Sequence, residues 1–98
     1  ITGLETSLAL GITELVDVGY LTMKQLLSLM STNPAAMYHS ATGYLAEGGP
    51  ADVILIDTAA EFIPEQYASK ATNTPFTGWK LKGEVKKTIC GGKMVYEA

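Results

Sequence analysis

Asp-Val-Ile-Leu-Ile-Asp, residues 52–57, constrains this chain more than any other stretch. Its four central residues are all apolar and three are β-branched. The run lacks the in-out alternation of a half-exposed strand, so it predicts a strand buried on both faces. Such a strand needs cover on both sides. The helical patterns that precede it are short, and the strand patterns that follow are few. The chain therefore reads as an α+β unit that lacks its other half. Composition points the same way. Of 98 residues, 47% are hydrophobic and only 17% are charged, while a chain of this length buries only about 60–65% of the surface its unfolded form exposes. Part of the apolar content is thus expected to face another segment or subunit. The chain starts with Ile1, not Met, and opens almost directly into a helical pattern, which reads as a fragment or a processed piece.

Three helix starts precede the apolar run. Thr2 and Glu5 have capping-box spacing, and Leu4, Leu8, Ile12, Leu15 and Val16 form an apolar stripe behind them, with Gly19 as the stop. Thr22 and Gln25 repeat the box ahead of Leu26, Leu27 and Met30, with Leu21 placed to staple onto Leu26. Asn33 and Pro34 read as the cap and first position of a third, short helix ending near Ser40 or Gly43. The cluster Ala46–Asp52 is a turn. After the strand, Pro64, Pro75 and Gly78 break any period, although Pro64–Lys70 could hold one helical turn. Residues 83–97 read as two strands joined at Gly91-Gly92, a dipeptide suited to a turn with positive φ at both positions.

Chemistry-bearing residues are sparse. The one histidine, His39, has no second imidazole or thiol near it and reads as a surface or helix-end residue. A metal site would need several clustered ligands. Asp52 and Asp57 bracket a strand, where aspartates more often support turns than bind ions. Cys90, the one cysteine, sits in an apolar strand pattern and reads as a buried, inert thiol. Phe76 and Trp79 read as packing anchors in a Pro/Gly loop. Lys80, Lys82, Lys86, Lys87 and Lys93 crowd the C-terminal half and read as a solvated strand face. Net charge is −3, without the clustered positive charge of a nucleic-acid footprint. There is no Gly-rich phosphate loop, no serine elbow, no visible signal-peptide pattern in this stretch and no apolar run near the ~20 residues that span a bilayer. A reducing, cytoplasmic setting is expected. No catalytic, substrate-binding or metal residue is assigned within the chain.

Taken in order, the same stretches resemble the C-terminal part of dihydroorotases, in the cyclic-amidohydrolase group. "GYLAEGGPADVILID" is similar to that group's Gly-x-Leu … Ala-Asp return strand, and "LTMKQLLSLMSTNPAAMY" resembles its final barrel helices. The return strand and the "GGKMVYE" ending look like those of many amidohydrolases, including dihydropyrimidinases and allantoinases. "NTPFTGWKLKG", residues 73–83, is the sharper signature and points to dihydroorotases.

The resemblance implies a parent enzyme with a (β/α)₈ barrel and an accessory β-sandwich. Residues 1–45 would be terminal barrel helices. Residues 46–98 would be the return strand, the Asn-Thr-Pro-Phe loop and the C-terminal hairpin of the sandwich. The implied reaction is the reversible cyclisation of N-carbamoyl-L-aspartate to dihydroorotate in pyrimidine biosynthesis. It would use zinc held by histidines, an aspartate and often a carboxylated lysine, none of which falls within this stretch. The implied partners are the remainder of the dihydroorotase chain and the parent's small-molecule substrate, with a homo-oligomer left open and neither nucleic acid nor membrane expected. The segment itself is expected to be structural and inactive alone. The alternatives are a ligand-less, dihydroorotase-like structural subunit, another cyclic amidohydrolase, and a free-standing α+β interaction module.

Overall fold

The structure, a computed structural model, describes residues 2–98; Ile1, read above as opening a helical pattern, lies outside the described residues. The elements run α1 (Ser7–Gly11), a π-helical stretch Ile12–Val16, α2 (Met23–Leu27), a second π-helical stretch Ser28–Thr32, α3 (Asn33–Met37), then strands β1 (Val53–Phe62), β2 (Leu81–Cys90) and β3 (Lys93–Glu97). The strands form one sheet in the order β1-β2-β3. The chain divides into two compact units. One holds the residues up to Tyr20 with Asp57–Glu84; the other holds Leu21–Ile56 with Val85–Ala98.

In the first unit, the expected capping box at Thr2 does not form. The helix begins at Ser7, and Thr6 precedes it without a side-chain cap. Glu5 cannot reach back to a cap because its two carboxylate oxygens accept the amides of Ala68 and Ser69. A tertiary partner has displaced a local one. The helical run continues through Gly11 into wider i−5 bonding, with the Asp17 amide donating to the Ile12 carbonyl at 2.8 Å. Gly19, at φ +91°, lies past the helical turns, as the sequence predicts. The buried stripe differs from the expected one. Ala9 and Ile12 are buried with Thr6, whereas Leu4 is 94% exposed and Leu15 is also exposed.

In the second unit, the Thr22 box forms in full. The Gln25 amide donates to Thr22 Oγ1 at 3.1 Å, and the Thr22 amide donates to Gln25 Oε1 at 2.9 Å. The helix that follows does not stop for a third start. Thr32 and Asn33 both keep right-handed helical backbone, so Asn33 is a helical residue and not a cap. Pro34 therefore sits inside one helical run from Met23 to Met37. An interior proline lacks the i−4 donor and crowds the carbonyl four residues back; here the bonding widens to i−5 just ahead of it, with Asn33 donating to Ser28. Of the expected apolar face only Leu26 is buried; Leu27 and Met30 are exposed.

The strand over 52–57 is present but longer, reaching Phe62, and within the described residues it is not covered on both faces: Ile54 and Leu55 are 44% and 52% exposed. An apolar run states what a strand needs, and only the packing partners decide whether it is met. No helical turn forms at 64–70. The hairpin is as read: Gly91 and Gly92 take φ +57° and +78°, and Cys90 pairs with Lys93. The register steps between Thr88↔Tyr96 and Ile89↔Met94, which leaves Val95 as the extra residue of a β-bulge.

Candidate functional site

The most ordered constellation lies where the first helical run meets the start of β2. Gly83, at φ +98°, brings the strand against Ile12; a Cβ there would lie 2.5 Å from Ile12 Cδ1 and 3.2 Å from its Cβ. Thr13, the next residue, satisfies both backbone groups of Lys82. Its Oγ1 accepts the Lys82 amide at 2.8 Å and donates to the Lys82 carbonyl at 3.2 Å. One helix hydroxyl thus does for this strand residue what a neighbouring strand would do. Lys82 Nζ then reaches Asp17 at 3.1 Å. Leu81, 1% exposed, is the most deeply buried large side chain. Thr13 was not singled out from the sequence, although a signal exists: it directly follows Ile12 of the apolar stripe, where a hydroxyl that becomes half-buried needs a partner.

Pro64–Trp79 forms the second constellation. Its base is closed by the Gly78 amide donating to the Pro64 carbonyl at 3.4 Å and by the Tyr67 and Thr77 hydroxyls, 2.8 Å apart. Thr74 Oγ1 accepts the Phe76 amide, and the Trp79 amide donates to the Phe76 carbonyl. Asn73 offers its carbonyl to the Thr2 amide at 3.2 Å. Thr74 through its hydroxyl and Asn73 through its carbonyl thus each satisfy a backbone amide. Phe76 and Trp79 meet edge to face, with centroids 5.1 Å apart. They anchor each other, but Trp79 is 47% exposed, so it does not fill an enclosed gap among the described residues.

The remaining candidates have separate, structural placements. His39 is an exposed residue with φ +54° just past α3. Its amide donates to Ala36 and the next amide, Ser40, donates to Ala35 at 2.8 Å, the paired bonds of a Schellman ending. Asp52 accepts the Gly91 amide at 2.7 Å and so steadies the hairpin turn. Asp57 accepts the Ala59 and Ala60 amides within β1. Cys90 is exposed, which corrects the expectation of a buried thiol: it is the last residue of β2, where the strand gives way to the turn. The lysine-rich face is not merely solvated. Lys80 pairs with Glu61 at 2.8 Å, Lys82 with Asp17, and Lys87 with Glu97 at 3.6 Å. The hydrogen bond and charge of Lys80 hold the Glu61 carboxyl below its ordinary value, and Glu61 in turn raises Lys80.

Among the described residues no three of His, Cys, Asp and Glu gather as a metal site would require. The donor set does not fit a zinc centre: one imidazole ends a helix, and Asp52 and Asp57 are engaged by backbone amides. Open depressions are found among the described residues. One of about 400 Å³ is lined by Leu21, Lys24, Gln25, Ser28, Leu29 and Asn33; another, about 490 Å³, by Glu61, Phe62, Ile63, Glu65 and Lys80. Neither sets a nucleophile beside a base. No helix among the described residues is long and apolar enough to cross a membrane.

Comparison with known proteins supplies what local geometry does not. The chain is 53% identical over 98 residues to a dihydroorotase of Streptococcus pneumoniae, and 57% identical over 96 residues to one of Streptococcus pyogenes. These matches cover 99% and 97% of this chain but 23% of each relative, so the chain spans about a quarter of their length. Among solved structures, L-hydantoinase (dihydropyrimidinase) from Arthrobacter aurescens is similar with a TM-score of 0.90 at 30% identity, over 97% of this chain and 22% of that one. A D-hydantoinase is similar with a TM-score of 0.74 at 30% identity, over 86% of this chain and 19% of that one. The pattern of the amidohydrolase family matches residues 3–95, and the chain belongs to that family.

Proposed function

We propose that this chain is the C-terminal portion of a dihydroorotase, whose reaction is the reversible cyclisation of N-carbamoyl-L-aspartate to dihydroorotate. The observation that carries this reading is identity of 53–57% to dihydroorotases across nearly the whole chain, against 30% to the hydantoinases. Within such an enzyme the segment scaffolds. Residues 1–45 serve as terminal helices of the barrel, and 46–98 as the return strand, the Asn-Thr-Pro-Phe loop and the hairpin of the accessory sandwich. The exposed apolar side chains support this. Leu4, Met37, Tyr38, Leu45, Leu55 and Val95 are all more than half exposed, as surfaces awaiting the rest of a larger molecule would be. Zinc, where the parent uses it, is held by residues outside this chain, and the setting is the cytoplasm. A cation there would polarise the amide carbonyl and supply hydroxide near neutral pH.

The hydantoinase likeness keeps a second reading, a cyclic amidohydrolase acting on a related ring. One assay separates the two. The complete polypeptide that carries this chain is given dihydroorotate, carbamoyl-aspartate, dihydrouracil and hydantoin in parallel. Turnover confined to the first pair is the expected result. Turnover of dihydrouracil or hydantoin in their place transfers the assignment to the second reading, and no turnover of any of the four favours a structural subunit.

A further inference from the structure

Pro64–Trp79 closes on itself at its base and has no regular secondary structure, the description of an Ω-loop. Its interior bonds are local. Among the described residues, the hydrogen bonds that tie it outward reach only two places, both in the short segment ahead of α1. One is the Thr2 amide on the Asn73 carbonyl; the other is the Glu5 carboxylate. Glu5 provides the stronger tie. Oε1 accepts the Ala68 amide at 2.9 Å and Oε2 accepts the Ser69 amide at 3.1 Å, so two consecutive amides share one carboxylate. Charge-assisted bonds of this kind are roughly twice as strong as neutral ones, and consecutive amides form a concavity suited to an anion. The whole contact is solvent-exposed, so water and salt compete for it.

We propose that Pro64–Trp79 is a strap, hinged at its closed base and held shut by the Glu5 carboxylate seated on the amides of Ala68 and Ser69. Gly78, at φ +86° with open space around it, supplies freedom at the hinge. Release of Glu5 swings the Ala68–Asn73 stretch away from the segment ahead of α1 while Gly78 and Pro64 stay bonded. This device does not depend on which ring the parent enzyme acts on.

The test is amide hydrogen exchange in the complete polypeptide, comparing the wild type with Glu5→Ala. Exchange across residues 66–77 is expected to rise roughly tenfold, the effect of losing two such bonds. The helical run from Met23 to Met37 keeps its protection. Trypsin cleavage after the exposed Lys70 accelerates in parallel. Unchanged exchange across 66–77 overturns the proposal. If Glu5→Ala loses protection everywhere, Glu5→Gln decides, since it keeps the size and loses the charge. Acceleration confined to the strap supports the latch; acceleration absent, or uniform over the molecule, overturns it.

Discussion

His39 shows how a residue's backbone can matter more than its side chain. The chain's one imidazole reads as a surface or helix-end residue, and the structure places it at the end of α3, where its backbone carries its role. It holds a left-handed position at a helix end, where glycine is the residue of least strain. His39→Gly is therefore expected to raise the stability of the complete polypeptide by about 0.5–1 kcal/mol, read from denaturant midpoints. Thr13 is the opposite case, a residue that looks ordinary and is not. Thr13→Val keeps the shape and leaves the Lys82 amide and carbonyl without their partner, at a cost of about 1–3 kcal/mol. Thr13→Ser, which keeps the hydroxyl, should recover most of that loss in the same measurement. Gly83 reads in sequence only as the first residue of a strand. Gly83→Ala meets both Ile12 and an unfavourable φ, and a loss of about 1–3 kcal/mol is expected from thermal unfolding.

At the scale of elements, short-range rules succeeded where both partners lie within a few residues. The Thr22–Gln25 box and the Gly91-Gly92 turn are complete in four-residue windows, and both form as read. The Thr2–Glu5 box has the same spacing and fails, because Ala68 and Ser69 compete for Glu5 from 63 and 64 residues away. The break expected at Asn33-Pro34 fails for another reason: a helix can widen its bonding to pass a proline, which a local cap rule does not anticipate. Between β1 and the approach to β2, Glu61 and Lys80 pair. Glu61 is lowered in the folded chain, so its contribution is present above the unfolded glutamate value and is lost as pH falls through the depressed folded one. Lys80 is raised, so its contribution is present below the unfolded lysine value and is lost as pH climbs through the raised folded one. A side-chain NMR titration is expected to place the Glu61 midpoint below that of a free glutamate, and Lys80→Gln should move it back up.

For the whole molecule, the deciding fact is how few apolar side chains are covered. Among the described residues only Ala9, Ile12, Leu26 and Leu81 count as buried hydrophobic core, in a chain that is 47% hydrophobic. A core this small does not offset the conformational entropy of ordering such a chain. The isolated 98 residues are expected to bind a hydrophobic dye and to self-associate, whereas a monomer that unfolds cooperatively in calorimetry would show that the chain needs no larger body. The amino-acid sequence by itself determined the Gly91-Gly92 turn, the Thr22 capping box, the presence of a strand at 52–57 with a hairpin after it, and the family, because each is written in residue types at short spacing or in identity along the chain. Tertiary structure alone decided that Glu5 serves a distant loop, that Thr13 serves a distant strand, and that the Val-Ile-Leu-Ile run is only partly covered among the described residues. The physical reason is that a hydrogen-bonding group or an apolar surface states only a demand, and which distant atoms meet it depends on where the rest of the chain has folded.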